Sequence, residues 1–506
     1  MNAIAEKTLF EQIYERLTVF ITKMKLPIVS SFVSGFAAYM FCFTNRFEIM
    51  DDLCNFFSTG SGLSSGRWGL EIIDTFFPPV SIPWLNGILS LIMLTAVSCI
   101  VIQMFSIRKP LLQIVISAVL VTFPSQTNTF AYMFISAWYA FSLLLAVVSA
   151  YLLSQAKSIR EFVLPAVTLI LSLSIYQAYL AVAVSFLIVY AFKMTLSPEF
   201  KAKAIFKKCI FWIVSVALSV AVYYLINAVA MKITGIGYNS YAENNLAKGS
   251  LLFSIRVVYT SFIGYFIKGY YYIVSNRLSL VMHAVLCICV AVLTIVHFKN
   301  TKEKDKAAFA VLCLALLPLG VNCLRLASSQ IHNLMLFSFT SVYILSAVIV
   351  EECLDLKGFA HFVWRDAVVL CLAVISCVNI AFANKVYLKM FMQFEQAQSF
   401  YSSVIACLNQ QPEFSEDSVV AFVGSGDAIY DIPAIDTDKL AAIQLGLIGT
   451  YSQGEFIKYY CGPWLNIAGW DDTDRLAEDE RVLAMSSFPY YGSIRKIDGF
   501  FVVKIE

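Results

Sequence analysis

Long apolar runs recur along most of this chain, and short polar segments separate them. A helix needs about 20 consecutive apolar residues to cross the hydrocarbon core of a bilayer, and several runs reach that length. The pattern therefore predicts about eleven transmembrane helices. They are expected at residues 27–44, 83–105, 110–123, 129–153, 161–175, 177–192, 209–230, 278–297, 307–322, 332–350 and 366–384.

Two of the connections between these runs are too short to leave a bilayer. They are PSQTN at residues 124–128 and YQAY at residues 176–179. Irregular backbone that faces lipid would leave its polar groups without hydrogen bonds. We therefore expect both segments to form half-buried turns that line a cavity.

The composition agrees with this pattern and excludes a soluble globular domain. Of the 506 residues, 59% are hydrophobic and only 14% are charged, and the mean hydropathy is +0.75. The formal net charge of +2 gives no indication of nucleic-acid binding. The fold class predicted is an α-helical polytopic membrane protein, with the lipid bilayer as a partner and no nucleic acid.

The basic residues predict the orientation of the chain in the membrane. Most of them fall in the connections on one side, including the cluster Lys201, Lys203, Lys207 and Lys208. By the positive-inside rule this side is cytoplasmic. The amphipathic segment 1–26 then lies in the cytoplasm, and the loop of residues 45–82, here called the first loop, lies outside. After an odd number of spans, residues 385–506 lie outside as well.

Residues 385–506 lose the long apolar runs and are predicted to form a small extracytoplasmic α/β domain. DSVVAFVGSGD (417–427) is typical of a strand entering a glycine turn, TDKLAAIQLGLIG (437–449) of a helix capped by Thr437, and GSIRKIDGFFVVKIE (492–506) of a hairpin that turns at Asp498 and Gly499. Gly424 and Gly426 lack the third glycine of the G-x-G-x-x-G pattern, which argues against a dinucleotide site.

Charge is concentrated in the first loop. Asp51 and Asp52 follow the first span directly, and Arg67 and Trp68 come about fifteen residues later. A solvated loop with an interfacial aromatic belt would explain the aromatic residues, but not adjacent aspartates close to the bilayer surface. Carboxylates and an arginine here could perform acid/base chemistry beside an anionic lipid head group. We therefore interpret Asp51 and Asp52 as catalytic.

The order of motifs after the first span resembles a known family. MDD (50–52) is followed by a Ser/Gly-rich stretch, by SGRWGLEIID (65–74) and later by SIYQAYLAVAVSF (174–186). This order is similar to that of the serotype-converting glucosyltransferase type II family of the GT-C superfamily, over roughly residues 30–350. The resemblance implies that residues 27–384 form a transmembrane glycosyltransferase domain whose catalytic acid lies in the first loop, here Asp51 or Asp52.

The resemblance also implies an activity and a location. Enzymes of this kind take a hexose, usually glucose, from an undecaprenyl-phosphate carrier and add it to a surface polysaccharide such as O-antigen or a teichoic-acid-like polymer. The expected location is the bacterial cytoplasmic (inner) membrane. A companion flippase and a donor-synthesising transferase are expected as further partners.

Sugar transfer by single displacement needs a base for the acceptor hydroxyl and cations for the departing phosphate. Adjacent carboxylates repel, so one should have a raised pKa unless Arg67 or a metal ion is close. We prefer Asp52 as the base, with Asp51 supporting it, although nothing in the sequence orders the pair. A carboxylate base implies inversion at the anomeric carbon.

Further residues are candidates for binding the donor and acceptor. The cations expected at the donor phosphate are Arg67, Arg325, Lys268 and Arg256, and the residues expected at the substrate are Trp68, Tyr176, Gln177 and Tyr271. An alternative interpretation fits equally well for Arg325, as an arginine that snorkels to head groups, and for Tyr176 with Gln177, as a polar turn that caps two short spans. The sequence indicates no certain cofactor and leaves a divalent cation open.

Two other classes of protein fit the hydropathy. A flippase for lipid-linked sugars or polysaccharides would be expected to place charges within its spans, along a path through the membrane. A non-catalytic envelope assembly scaffold would tolerate neutral replacement of Asp51 and Asp52 together. Sugar addition by the double Asn variant therefore separates these classes from a transferase.

Overall fold

The computed structural model describes residues 8–60, 62–239, 250–268, 277–352, 359–426, 440, 443, 446–462 and 464–506. Its α-helices are Leu9–Lys23, Lys25–Thr44, Met50–Cys54, Trp68–Phe76, Pro83–Phe105, Pro110–Thr122, Pro124–Ala131, Met133–Gln155, Val163–Ile175, Leu180–Leu196, Ala202–Thr234, Leu251–Ile263, Arg277–Thr301, Lys304–Val321, Ser341–Glu352, Phe359–Leu408, Gln453–Phe456, Trp470–Ala477 and Glu480–Leu483. Short 3₁₀ helices occupy Leu63–Ser65, Ile159–Phe162, Gln177–Tyr179, Cys323–Leu326 and Asn333–Thr340, and π-helical turns occupy Gly264–Lys268 and Ile457–Cys461.

Nine helical stretches in these described ranges are long and apolar enough to cross a membrane. They are Lys25–Thr44, Pro83–Phe105, Pro110–Ala131, Met133–Gln155, Gln177–Leu196, Ala202–Thr234, Arg277–Thr301, Asn333–Glu352 and Val363–Leu408. The chain is therefore a multi-pass membrane protein, as predicted.

The other two predicted spans are helices, but they fall outside this set of nine. Val163–Ile175 has only 13 residues, which is short for a bilayer crossing. Lys304–Val321 has 18 residues, but Lys304, Asp305 and Lys306 take up its first turn. The predicted count of eleven is thus not confirmed.

One of the two short connections between apolar runs is not the half-buried turn that the sequence predicts. Residues Pro124–Ala131 form a fully buried helix, which proline can begin because its fixed φ suits the first helical position. The hydroxyl of Tyr387 donates to the Thr127 carbonyl there (2.9 Å). At the second connection, Tyr176 is extended and a 3₁₀ turn, Gln177–Tyr179, follows it.

Close helix contacts in the membrane region depend on small residues, because packing rather than apolar burial drives association in lipid. The Lys25–Thr44 helix packs against Pro83–Phe105. A Cβ on Gly87 would lie 2.3 Å from the ring of Phe43 on the first helix. Glycine is therefore required for this contact at its present spacing.

The helix that precedes the first span is amphipathic, as predicted. Thr8 and Glu11 form a reciprocal capping box at the beginning of Leu9–Lys23. Its apolar side chains Phe10 and Tyr14 are 82% and 71% exposed. Exposed apolar side chains on such a helix favour an interfacial position. Its location in the cytoplasm stays a prediction.

The C-terminal region, defined here as residues 409–506, contains a four-stranded sheet. Its strands are β1 (Val419–Val423), β2 (Asn466–Ile467), β3 (Ile494–Ile497) and β4 (Phe500–Lys504), in the order β2-β1-β4-β3. β1 pairs in parallel with β2 and β4, while β3 and β4 form an antiparallel hairpin in which Val503 faces Ile494.

Two sequence predictions for this region are confirmed, and one is not tested in full. The hairpin turns at Asp498 and Gly499, whose φ angles are +50° and +88°, as a tight two-residue turn requires. The strand predicted within 417–427 is β1. The helix predicted at 437–449, with Thr437, lies largely outside the described residues, and the described end at 446–449 is a turn.

A single helix, Phe359–Leu408, joins the membrane region to the C-terminal region. It passes without interruption through residue 385, where the sequence predicts a domain boundary. Its end packs on the sheet region, where the Tyr401 hydroxyl donates to the Leu447 carbonyl (3.1 Å). The division into an N-terminal segment, a membrane domain and an outside domain stays a prediction.

Candidate active site

Two carboxylates of the first loop organise the loop itself. Glu71 and Asp74 lie one turn apart on the Trp68–Phe76 helix. Glu71 accepts the backbone N–H of Leu63 (2.9 Å), and both oxygens of Asp74 lie 3.2 Å from the backbone nitrogen of Thr59. Part of the charge in this loop therefore holds the backbone that precedes Arg67.

Asp52 is buried at the beginning of a membrane helix. Its side chain accepts the N–H groups of Phe134 (2.7 Å) and Met133 (3.2 Å), the first residues of Met133–Gln155, and the hydroxyl of Ser81 (3.1 Å). Helix N-termini carry unsatisfied N–H groups, and the carboxyl oxygens of Asp52 accept two of them. With 1% exposure, Asp52 does not reach a substrate in this conformation.

The environment of Asp52 alters its protonation. Burial is the main cause that raises the pKa of Asp52 to about 8, and the charge of Glu48 raises it further, while the hydrogen bonds from Phe134 and Met133 lower it. One member of the aspartate pair was expected to have a raised pKa. The structure confirms this rise, but the cause is burial and Glu48, and not repulsion by the neighbouring Asp51.

Asp51 points away from Asp52, towards the C-terminal region. It is half-buried, and the hydroxyl of Tyr451 donates to its Oδ1. Burial and the Asp51 carboxylate both raise the pKa of Tyr451, so this hydroxyl remains a donor. Asp51 is therefore the accessible carboxylate of the pair.

Glu48, for which the sequence predicts no role, is buried near the same place. It accepts hydrogen bonds from Arg46 Nε (2.9 Å), and Arg46 Nη2 lies 2.7 Å from the same oxygen. The guanidinium of Arg46 also lies 4.6 Å from the ring centre of Phe56 and 5.9 Å from that of Tyr460. The sequence feature that could have indicated Glu48 is a charged residue directly after a predicted span. That feature does not distinguish Glu48 from an ordinary interfacial residue.

Arg67 lies against two stacked tyrosines. Its Nη1 donates to the Tyr139 hydroxyl (2.9 Å), and its guanidinium carbon lies 5.3 Å from the ring centre of Tyr176 and 5.9 Å from that of Tyr139. The two rings stack with centroids 4.1 Å apart. This support, which combines cation–π attraction with a hydrogen bond, orients a half-buried cation. Tyr176, predicted at the substrate, thus contacts the cation predicted at the donor phosphate.

Gln177 fastens the first loop to the membrane helices. Its amide donates to the Ser65 carbonyl (3.1 Å) and to the hydroxyl of Tyr223 (2.9 Å). The Tyr223 hydroxyl in turn donates to the Gly66 carbonyl (2.7 Å). These bonds hold the backbone directly before Arg67. The structure therefore gives Gln177 a positioning contact with the loop, whereas direct substrate binding stays a prediction.

The helix after Arg67 approaches its neighbour very closely. A Cβ on Gly69 would lie 2.3 Å from the hydroxyl oxygen of Ser174 and 3.0 Å from its carbonyl oxygen. Trp68, the adjacent residue, is half-buried and packs against the core. The position of the first loop is thus set on both sides of Arg67.

The other predicted cations belong to a different part of the structure. Arg325 is half-buried in the Cys323–Leu326 turn, which packs against Leu251–Ile263. Arg256 lies on that helix and is exposed. The backbone of Lys268 ends the following π-turn, but its side chain and Tyr271 lie outside the described residues.

A divalent cation was left open by the sequence. Among the residues that the structure describes, no group of three or more His, Cys, Asp or Glu side chains could hold a metal ion.

One comparison with known proteins gives a match. The family model described as Glucosyl transferase GtrII matches residues 40–351, a range that contains the first loop, the Tyr139–Tyr176 stack and Gln177. No curated protein and no solved structure matches the chain.

Proposed function

The chain belongs to the glucosyl transferase GtrII family, and from this premise we propose that it moves a hexose from an undecaprenyl-phosphate carrier to a cell-surface polysaccharide. Family membership implies a glucosyltransferase, so glucose is the expected sugar. Polyprenyl-phosphate dependence and a GT-C mechanism belong to the proposal. O-antigen and teichoic-acid-like polymers are the acceptor classes expected.

The observation that carries this proposal is that Asp51 and Arg67 lie in the same loop, whose backbone is held by hydrogen bonds. Asp51 is a half-buried carboxylate in contact with one hydroxyl group, that of Tyr451. Arg67 is a half-buried cation supported by tyrosine rings. A carboxylate suits proton removal from an acceptor hydroxyl, and a guanidinium suits a phosphate.

We assign the base to Asp51, which reverses the preference drawn from the sequence. A base must come within hydrogen-bond reach of the proton it removes. Asp52 is enclosed by the first N–H groups of Met133–Gln155 and by Ser81, whereas Asp51 is accessible. Asp52 is then a positioning residue that holds the turn carrying Asp51 against that helix.

The proposed step is an inverting single displacement. The Asp51 carboxylate takes the proton of the acceptor hydroxyl while the hydroxyl oxygen attacks the anomeric carbon. The bond from that carbon to the carrier phosphate oxygen breaks, and the phosphate keeps the electron pair. Arg67 stabilises the departing negative charge. A β-linked donor therefore gives an α-linked product.

Location and partners complete the proposal. Donor and acceptor would meet outside the bacterial cytoplasmic membrane, with the N-terminus inside, in agreement with the distribution of basic residues. A companion flippase would deliver the donor, and a second transferase would make it.

The test is transfer of labelled glucose from undecaprenyl-phosphate glucose in purified membranes, with the anomeric configuration of the product read by NMR. Asp51→Asn should lower the turnover about 100-fold or more, at unchanged expression. Asp366→Asn is the matched control, because Asp366 is exposed on the Phe359–Leu408 helix and should keep full activity. Movement of the lipid-linked sugar across the membrane without a covalent product would instead identify a flippase, and normal sugar addition by Asp51→Asn would refute the assigned base.

A further inference from the structure

A cavity of about 370 Å³ lies in the C-terminal region, and its lining residue Tyr451 contacts Asp51 of the first loop. The cavity opens where β1 ends at Val423, between the segment that contains Tyr451 and the Trp470–Ala477 helix. Its volume falls within the range of small-ligand pockets, about 300–1,000 Å³. In α/β folds, ligands bind beyond the carboxyl ends of parallel strands, and β1 is parallel to both of its neighbours.

Backbone groups form part of the cavity wall. Gly424 and Gly449 have positive φ angles of +97° and +73°, and a Cβ on Gly449 would lie 2.6 Å from the Gly424 carbonyl oxygen. A side chain at this position would push the two segments apart. The two glycines therefore allow the segments that line the cavity to approach each other closely.

The lining favours an uncharged polyol over a phosphate compound. Trp470 and Tyr451 are 59% and 47% exposed and present broad aromatic surfaces. Glu455 and Asp474 add carboxylates, and no lysine or arginine occurs among the described lining residues. Carboxylates accept hydrogen bonds from hydroxyl groups but repel phosphates. A sugar ring offers both an apolar face for the aromatic rings and hydroxyls for the carboxylates.

One buried polar atom of the lining lacks a partner. Gln453 lines the cavity, and its Oε1 is buried without a hydrogen-bond partner in the described part of the chain. A buried acceptor that receives no hydrogen bond is unfavourable. A hydroxyl group of a bound ligand would satisfy it.

The cavity is connected to the proposed base by one side chain. Tyr451 lines the cavity, and its hydroxyl donates to Asp51. The helix Gln453–Phe456 packs against Met50–Cys54, which carries Asp51. The rings of Phe56 and Tyr459 lie 5.1 Å apart along the same contact. A chain of sugars in the cavity would lie beside the carboxylate.

We propose that this cavity is the binding site for the acceptor polysaccharide and presents a hydroxyl of the bound chain to Asp51. The inference rests on the proposed function, since it identifies where the acceptor of that reaction binds. The C-terminal region is then the part of the protein that selects the acceptor, while Arg67 and its surroundings bind the donor.

The test measures binding of oligosaccharides to the full chain in nanodiscs by calorimetry, in the absence of donor. The probe is the surface polysaccharide of source cells that lack this gene, released from its lipid and fragmented. Trp470→Ala should weaken binding about 10-fold, because it removes the largest aromatic surface of the lining. Trp464→Ala is the matched control, since Trp464 is 64% exposed in the same region but does not line the cavity, and it should bind as the wild type does.

A second pair of variants replaces aspartate with asparagine, which has a side chain of the same size and shape. Asp474→Asn should also weaken binding about 10-fold, because hydrogen bonds to a charged group are the stronger ones. Its control is Asp472→Asn, on the same helix and paired with Arg475 (3.1 Å). In the transfer assay, both cavity variants should raise the acceptor KM and leave the donor KM and the kcat at saturating acceptor unchanged.

The outcomes separate this inference from the proposed function. Failure of the wild type to bind the oligosaccharides, or equal binding by wild type, Trp470→Ala and Asp474→Asn, would overturn the inference. Binding that depends on Trp470 would support it even if no glucose is transferred, in which case only the proposed function fails. A loss of kcat in place of acceptor affinity would also contradict it.

Discussion

Replacement of Asp52 by Asn gives the sharpest test of its structural role. The carboxyl group accepts two N–H groups at the beginning of Met133–Gln155 together with the Ser81 hydroxyl. Both oxygens of the carboxyl group keep lone pairs that can accept an N–H group, even when one oxygen carries a proton, whereas asparagine replaces one oxygen with an NH₂ group that only donates. One buried N–H is then left without an acceptor, which destabilises the fold by about 1–3 kcal/mol.

The pKa of Asp52 adds a dependence on pH that asparagine lacks. Burial raises the pKa from its ordinary value of 3.8 to about 8 in the folded protein. Between these values the folded state retains a proton that the unfolded state has lost. The contribution of Asp52 to stability is therefore fully present below pH 3.8 and is lost as the pH rises towards about 8, by about 1.4 kcal/mol per pH unit.

Denaturant unfolding in mixed micelles, followed by tryptophan fluorescence, measures both effects. At pH 5 the Asp52→Asn variant should be less stable than the wild type by about 1–3 kcal/mol. From pH 5 to pH 7 the wild type should lose about 3 kcal/mol more than the variant, so the deficit closes. Asp366→Asn, an exposed substitution, should follow the wild type. Parallel stability curves for Asp52→Asn and wild type would refute the buried, protonated state, and a more stable variant at pH 5 would refute the anchoring role.

Three further predictions concern the first loop. Arg67→Lys keeps the charge but loses the planar fork, so kcat/KM for the donor should fall about 10-fold in the transfer assay, and an unchanged kcat/KM would contradict a phosphate contact. Gly69→Ala should lower the free energy of unfolding by about 1–3 kcal/mol because its Cβ meets the neighbouring helix, whereas Gly237→Ala, which has open space around it, should not. Gln177→Leu and Tyr223→Phe remove one shared network, so a double-mutant cycle of unfolding energies should show a coupling of about 0.5–3 kcal/mol, and additive effects would show that the two side chains act separately.

Local sequence rules predicted the parts of the molecule that depend on neighbouring residues. The hairpin at Asp498 and Gly499 follows from residues that tolerate positive φ. The order of motifs around Arg67 indicated the family that the comparison confirmed. The predicted count of eleven spans is not confirmed, because Val163–Ile175 has only 13 residues and Lys304–Val321 carries three charged residues in its first turn.

The sequence by itself determined that the chain lies in a membrane, since apolar runs of this length have no other stable environment, and that charge gathers in the first loop. Only the tertiary structure decided what each charge does. Asp51 and Asp52 are neighbours in the chain, yet one meets Tyr451 and the other meets Met133 and Phe134. Their partners lie 81 to 400 residues away, and such contacts depend on how helices pack, which no local pattern encodes. The physical reason is that burial and hydrogen bonding, which separate an anchoring carboxylate from an accessible one, are properties of the folded surroundings and not of the residue type.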